Sequence, residues 1–171
     1  MKTNIKLVWF AGSALICLLN GCVSPNYNSG SSDSTNQQIE QDSQQIMQMR
    51  LSLAKEFPTY SPDYTKRVVQ ILGICQKAME SPRLMMGSIH ADASSQLDSL
   101  KLDFPQLRIP VATKELEIII DKIGALDKLG EPDEYPPGRY LAVAKPLTDY
   151  VINAIKTMRD VLVNHSQSIF Q

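Results

Sequence analysis

The chain has little of the chemistry from which active sites are usually built. It holds two histidines, His90 and His165, and three cysteines in 171 residues. It has no Gly-x-Ser-x-Gly elbow, phosphate loop, His-Glu-x-x-His or Cys-x-x-Cys. The sequence-local routes to serine hydrolysis, nucleotide binding and zinc are therefore closed. A metal site needs three or four converging ligands, and two histidines so far apart do not supply them. His90 and Asp92 are no dyad either, because residues two apart on a helix do not face each other. The acidic stretch Glu131, Asp133, Glu134 lacks the alternating oxygen ligands and distal glutamate of a calcium loop and reads as a solvated turn.

Basic excess is missing as well. With 17 Lys+Arg against 18 Asp+Glu the formal charge is −1, and loss of Lys2 and Lys6 with a leader would make the remainder more acidic. Such a balance gives no electrostatic grip on nucleic acid. There is also no apolar run of the about 20 residues that a spanning helix requires. The uncharged stretch Leu7 to Leu19 falls short of it.

That stretch sits behind Lys2 and Lys6 and ends at Leu19-Asn20-Gly21-Cys22. A positive n-region, a short apolar h-region and small residues at the end make a secretory leader. The last four residues resemble the lipobox of bacterial lipoprotein precursors. The resemblance covers residues 1–22 and implies removal of residues 1–21, with Cys22 as the site of lipid attachment. It further implies a diacylglycerol on the thiol and an amide-linked acyl chain, a covalent anchor in place of any cofactor. Val23 rather than aspartate follows Cys22. In the enterobacterial sorting pattern this directs such a protein to the outer membrane, facing the periplasm of a Gram-negative-type cell envelope.

Cys17 would leave with the leader and Cys22 would carry lipid, so Cys75 has no partner for an internal disulfide. Its place among apolar residues makes it a small core residue. Residues 22–35 read as the lipidated cysteine and a flexible tether, since Ser, Asn, Gly and Pro from Ser24 to Ser32 cannot bury enough apolar surface to order themselves. Val23 to Thr35 would span about 20 Å as a coil and about 43 Å when stretched.

Residues 36–171 read as one domain, close to the commonest domain size. Ile39, Ile46 and Leu53 recur at seven-residue spacing over Asn36 to Glu56, one stripe of a helix. Met47, Met49, Leu51 and Leu53 also alternate as in a strand. Good helix formers decide for helix, and Pro58 ends it. Ser61-Pro62-Asp63 is an N-cap, a proline at the first helical position and an acid in the first turn. Tyr64, Val68, Ile71, Leu72, Cys75 and Met79 follow as one stripe. Ser81-Pro82 repeats the start signal before Met86, Ile89, Ala93, Leu97 and Leu100, with a turn or kink at Glu80 to Pro82. Phe104-Pro105 and Ile109-Pro110 interrupt. Helix resumes near Thr113, with Leu116, Ile119, Ile120, Ile123 and Leu126 inward and Gly130 and Pro132 as the stop. The last helix is expected from about Tyr140 to Asn164 on the stripe Leu147, Val151, Ile155, Met158, Leu162, with Pro146 kinking it or marking its true start. One-faced helices with short connections satisfy their stripes only against one another, which predicts an all-α, single antiparallel bundle of four to five helices behind a lipidated tether.

Two function classes fit. The first is a noncatalytic, lipid-anchored module that binds another envelope protein, as secretion-assembly, immunity and exclusion lipoproteins do. The second is a periplasmic enzyme acting on cell wall or lipid, with an active site dispersed along the chain. For the first class the candidate contact residues are Tyr135, Arg139 and Tyr140, around the stiff Pro136-Pro137-Gly138 loop. Tyrosine and arginine most often carry interface energy. Met47, Met49, Met85 and Met86 are expected to fill the core rather than line a groove.

Overall fold

Ser61 stands extended at φ −70° and ψ 151°, and its Oγ accepts from the Tyr64 amide at 3.2 Å. Pro62 follows where a helix needs no backbone N–H. The helix begun there is the second of five α-helices among the described residues: α1 Ser31–Glu56, α2 Pro62–Glu80, α3 Met86–Asp103, α4 Val111–Asp127 and α5 Arg139–Ile169. The computed structural model describes residues 31–105, 108–129, 134, 136 and 138–169, the backbone alone for 31–36 and 164–169, and the described residues contain no strand.

Short links make sequence neighbours antiparallel. The Tyr64 ring at the start of α2 meets Phe104 after α3 edge-on at 5.4 Å, and Arg67 pairs with Asp103. Lys101 of α3 pairs with Glu117 of α4, and the Lys122 ammonium lies 4.2 Å from the Tyr150 ring centre in α5. At the end of α1, Glu56 accepts from the Val111 amide at 2.6 Å, while the Asp42 charge reaches Tyr150. α1 therefore runs against α4 and in the same direction as α5.

α4 is the central helix, packed on each of the other four. Leu116, Ile119, Ile120, Ile123 and Leu126 are all buried, the face that the periodicity predicts. Val68, Ile71, Leu72 and Cys75 of α2 join this core with Ala93, Leu97 and Leu100 of α3 and Val151, Ile155, Met158 and Leu162 of α5. Each such aliphatic side chain, taken fully out of water, contributes about 1.5–3 kcal/mol. The buried hydroxyl of Thr113 is matched by the Tyr64 phenol at 2.7 Å, so this polar group in the core is hydrogen-bonded.

Several boundaries differ from the expectation. α1 is already helical at Ser31, five residues before the expected Asn36, so residues 31–35 belong to the helix and not to the expected tether. Ser81 does not cap α3. It closes α2 in an extended conformation, and the 3₁₀ turn Arg83–Met85 leads into α3. α4 begins at Val111, before Thr113, and ends at Asp127; Gly130 and Pro132 lie outside the described residues. α5 runs beyond both expected ends with Pro146 inside it, so the proline does not mark the helix start. Among the methionines, Met49 is buried and Met86 packs against the core, but Met47 and Met85 are exposed. Stripe position sorts them, since Met47 lies off the α1 face that carries Met49 and Leu53.

Cys75 is wholly buried and free, and burial pushes its thiol up to about 12. Thiol reagents should therefore label it slowly in the native protein and at once in denaturant. Rapid native labelling would show that the α2 stripe opens to solvent.

Candidate functional site

Of the residues singled out in the sequence, Cys22 and Tyr135 lie outside the described residues. Gly138, at φ +79°, takes the left-handed conformation that glycine tolerates, and the Arg139 amide donates to the Pro136 carbonyl at 3.0 Å. Arg139 and Tyr140 thus open α5 instead of lying in the loop. Arg139 is exposed. Tyr140 is half-buried beneath the Arg83 guanidinium, whose carbon is 4.8 Å from the ring centre. Arg83 Nη2 also donates to the Leu126 carbonyl at 3.1 Å, tying the start of α5 to the end of α4.

His90 is half-buried over Gly124, where a Cβ would come within 2.7 Å of its Nε2. The glycine lets α3 and α4 approach closely, and the imidazole fills the space. Asp92 is exposed, as is Glu134. The side chains of Glu131, Asp133 and His165 lie outside the described set. Among the described residues no three His, Cys, Asp or Glu side chains cluster as a metal site.

The surface feature that periodicity did not reveal is a groove of about 390 Å³ between α2 and α5. Met79, Ile152 and Ile155 provide its apolar strip, and Gln76, Glu80, Lys156, Arg159 and Asp160 rim it with both charges. Arg159 donates to Gln76 across the groove and lies beside Gly73. The surface continues past this bridge as a more polar depression toward Gln70, Ile74 and Gln96. An apolar strip with a charged rim suits an amphipathic segment of another protein. The one sequence signal for it is Ile152, an aliphatic residue off the buried stripe of α5 and 48% exposed.

A second polar feature lies where α1, α4 and α5 meet. The Tyr150 hydroxyl and Glu115 Oε2 are buried without hydrogen-bond partners, although Tyr150 as a whole is only 1% exposed. Burial raises the Glu115 carboxyl above its ordinary value; burial first, then the Glu115 and Asp42 charges, push the Tyr150 phenol up. A carboxyl raised on folding destabilises the native state when ionised. Stability should fall as pH rises from the ordinary carboxyl value of 4.5 through the raised folded value. Glu115→Gln should accordingly raise the melting temperature at neutral pH, with the gain vanishing in acid below the ordinary value. A gain that persists at acid pH would contradict this electrostatic origin.

Compared with protein-family models, with curated proteins and with solved structures, the chain matches none. Within the described residues, no helix is long and apolar enough to cross a membrane.

Proposed function

We propose that this is a lipid-anchored lipoprotein of the cell envelope whose helical domain works without catalysis, by binding another envelope protein. Leu19-Asn20-Gly21-Cys22 supports the anchor, and Val23 supports placement at the outer membrane facing the periplasm. The observation that carries the binding role is the α2–α5 groove, an apolar strip of Met79, Ile152 and Ile155 between side chains of both signs. Such a strip offers burial to a partner's apolar face, and the mixed rim sets its register. Arg139, exposed at the start of α5, and the adjoining Tyr140 are a second contact region in this reading, to which the sequence adds Tyr135.

Photo-crosslinking in intact cells tests the groove. A photoreactive residue at Ile152 or Lys156 should give a discrete adduct with one envelope protein. The same residue at exposed Asp92, on α3, should not. Ile152→Asp should abolish the adduct formed at position 156 while leaving the helical spectrum unchanged. Adducts at 92 but none in the groove, from a normally folded protein, would refute the assignment.

A further inference from the structure

We propose that the end of the bundle carrying Leu84, Met85 and Leu141 is a membrane-facing surface, dipping into the headgroup region of the bilayer that holds the lipid anchor. This rests on the lipid-anchor reading of Cys22 and on where the helical chain begins.

Contacts between helices distinguish the two ends. At one end Glu56 of α1 meets Val111 at the start of α4, and Tyr64 meets Phe104. At the other, Arg83 in the α2–α3 link reaches the Leu126 carbonyl and lies over Tyr140. Since α1 runs against α4, Ser31 belongs to this second end. At 1.5 Å per residue α4 spans about 24 Å, whereas α1 spans about 38 Å from Glu56 back to Ser31. α1 therefore overruns α4 by about 14 Å on the anchor side. The chain from Cys22 to Ser31, at about 3.5 Å per residue, reaches no further than about 30 Å even when fully stretched. This leash leaves from the second end of the bundle, so that end is the one the anchor holds nearer the bilayer.

That end presents apolar side chains outward. Leu84 is 93% exposed and Met85 54%, both in the 3₁₀ turn between α2 and α3, and Leu141 in the first turn of α5 is 66% exposed. Scattered surface leucines are ordinary. Here three large apolar residues share the one end from which the anchor departs. Charges nearby are mixed, Arg83, Lys128 and Arg139 against Glu80, Asp127 and Glu134. Apolar insertion, rather than attraction to anionic lipid, is therefore the mode of contact. The bundle would stand on this end, leaving the α2–α5 groove open along its side wall and Leu102 and Ile109 at the far end, away from the bilayer.

The test uses the full-length, lipidated protein in vesicles of phosphatidylethanolamine and phosphatidylglycerol. An environment-sensitive thiol probe is placed through Leu84→Cys, Leu141→Cys, Leu102→Cys or Ile109→Cys. Buried Cys75 stays unlabelled, and lipid blocks Cys22. Probes at 84 and 141 should emit at shorter wavelength and lose most of their fluorescence to lipids brominated on the acyl chain, while those at 102 and 109 should do neither. Absence of quenching at 84 and 141 in protein that still floats with the vesicles overturns the proposal and leaves the anchor standing. Equal quenching at all four positions overturns it too, as does a wavelength shift without lipid quenching, which would mean that protein covers the patch. Mass spectrometry of the same preparation reports separately on the anchor. An unmodified Cys22 would overturn the anchor reading and this inference with it.

Discussion

With aspartate in place of Ile119, the helical spectrum and the cooperative melt should both be lost. Ile119 is completely buried on α4, the helix that packs on all the others. An unpaired charge there costs several kcal/mol, set against a total stability of about 5–15 kcal/mol for a typical domain. The forfeited burial of the isoleucine adds about 1.5–3 kcal/mol. Ile120→Asp and Ile155→Asp, also in the core, should behave alike. Leu102→Asp, at a site 79% exposed, should change stability by no more than about 0.5 kcal/mol. Circular dichroism during heating reads all four. An Ile119→Asp protein melting within a few degrees of the parent would remove α4 from the centre of the bundle.

Cys22→Ser carries the largest expected effect on where the protein works. Serine cannot accept the thioether-linked diacylglycerol of the proposed anchor, and in lipoprotein precursors, which residues 1–22 resemble, cleavage follows lipidation. The variant should therefore incorporate no palmitate and persist as a larger precursor retaining residues 1–21. Metabolic labelling and gel mobility measure both. Mature-sized, membrane-extractable protein from this variant would dismantle the anchor reading and, with it, the orientation inferred for the Leu84 end.

The stripes of α2 to α5 were legible because each of these helices buries one face, and a helix writes that face into the sequence at spacings of three and four, whereas in α1 the expected stripe residue Ile39 is exposed. Val68, Ile71, Leu72 and Cys75 are the clearest case, behind a start marked by Ser61-Pro62-Asp63. The start of α4 was not legible. Its N-cap position is Pro110, which makes no side-chain cap bond. Instead the amides of Val111 and Ala112, which lack partners within the helix, donate to the Glu56 carboxylate at 2.6 Å and the Tyr60 hydroxyl at 3.2 Å. The Tyr60 hydroxyl itself donates to Glu56 at 2.7 Å. A negative charge at a helix N-terminus is favourable wherever it comes from in the chain. Here it comes from the end of α1, and no local pattern around residue 111 announces it.

The candidate surface divides in the same way. The resemblance of Leu19-Asn20-Gly21-Cys22 to a lipobox and the apolar faces of the helices are properties of contiguous residues, so the sequence alone carries them. Which faces meet is set by packing. Met79 and Ile155 read as stripe residues of two separate helices, and only the seating of α5 against α2 brings them together with Ile152 as the wall of one groove. Tyr140 read as a candidate contact residue beside the Pro136-Pro137-Gly138 loop, and only the α2–α3 turn places Arg83 over its ring. Leu84 and Leu141 are unremarkable in sequence. They come to share an end with the start of α1 because five helices alternating in direction return the chain to the same side. Periodicity decides which side chains leave water, whereas helix lengths, caps and crossings decide what the rest of the surface can hold.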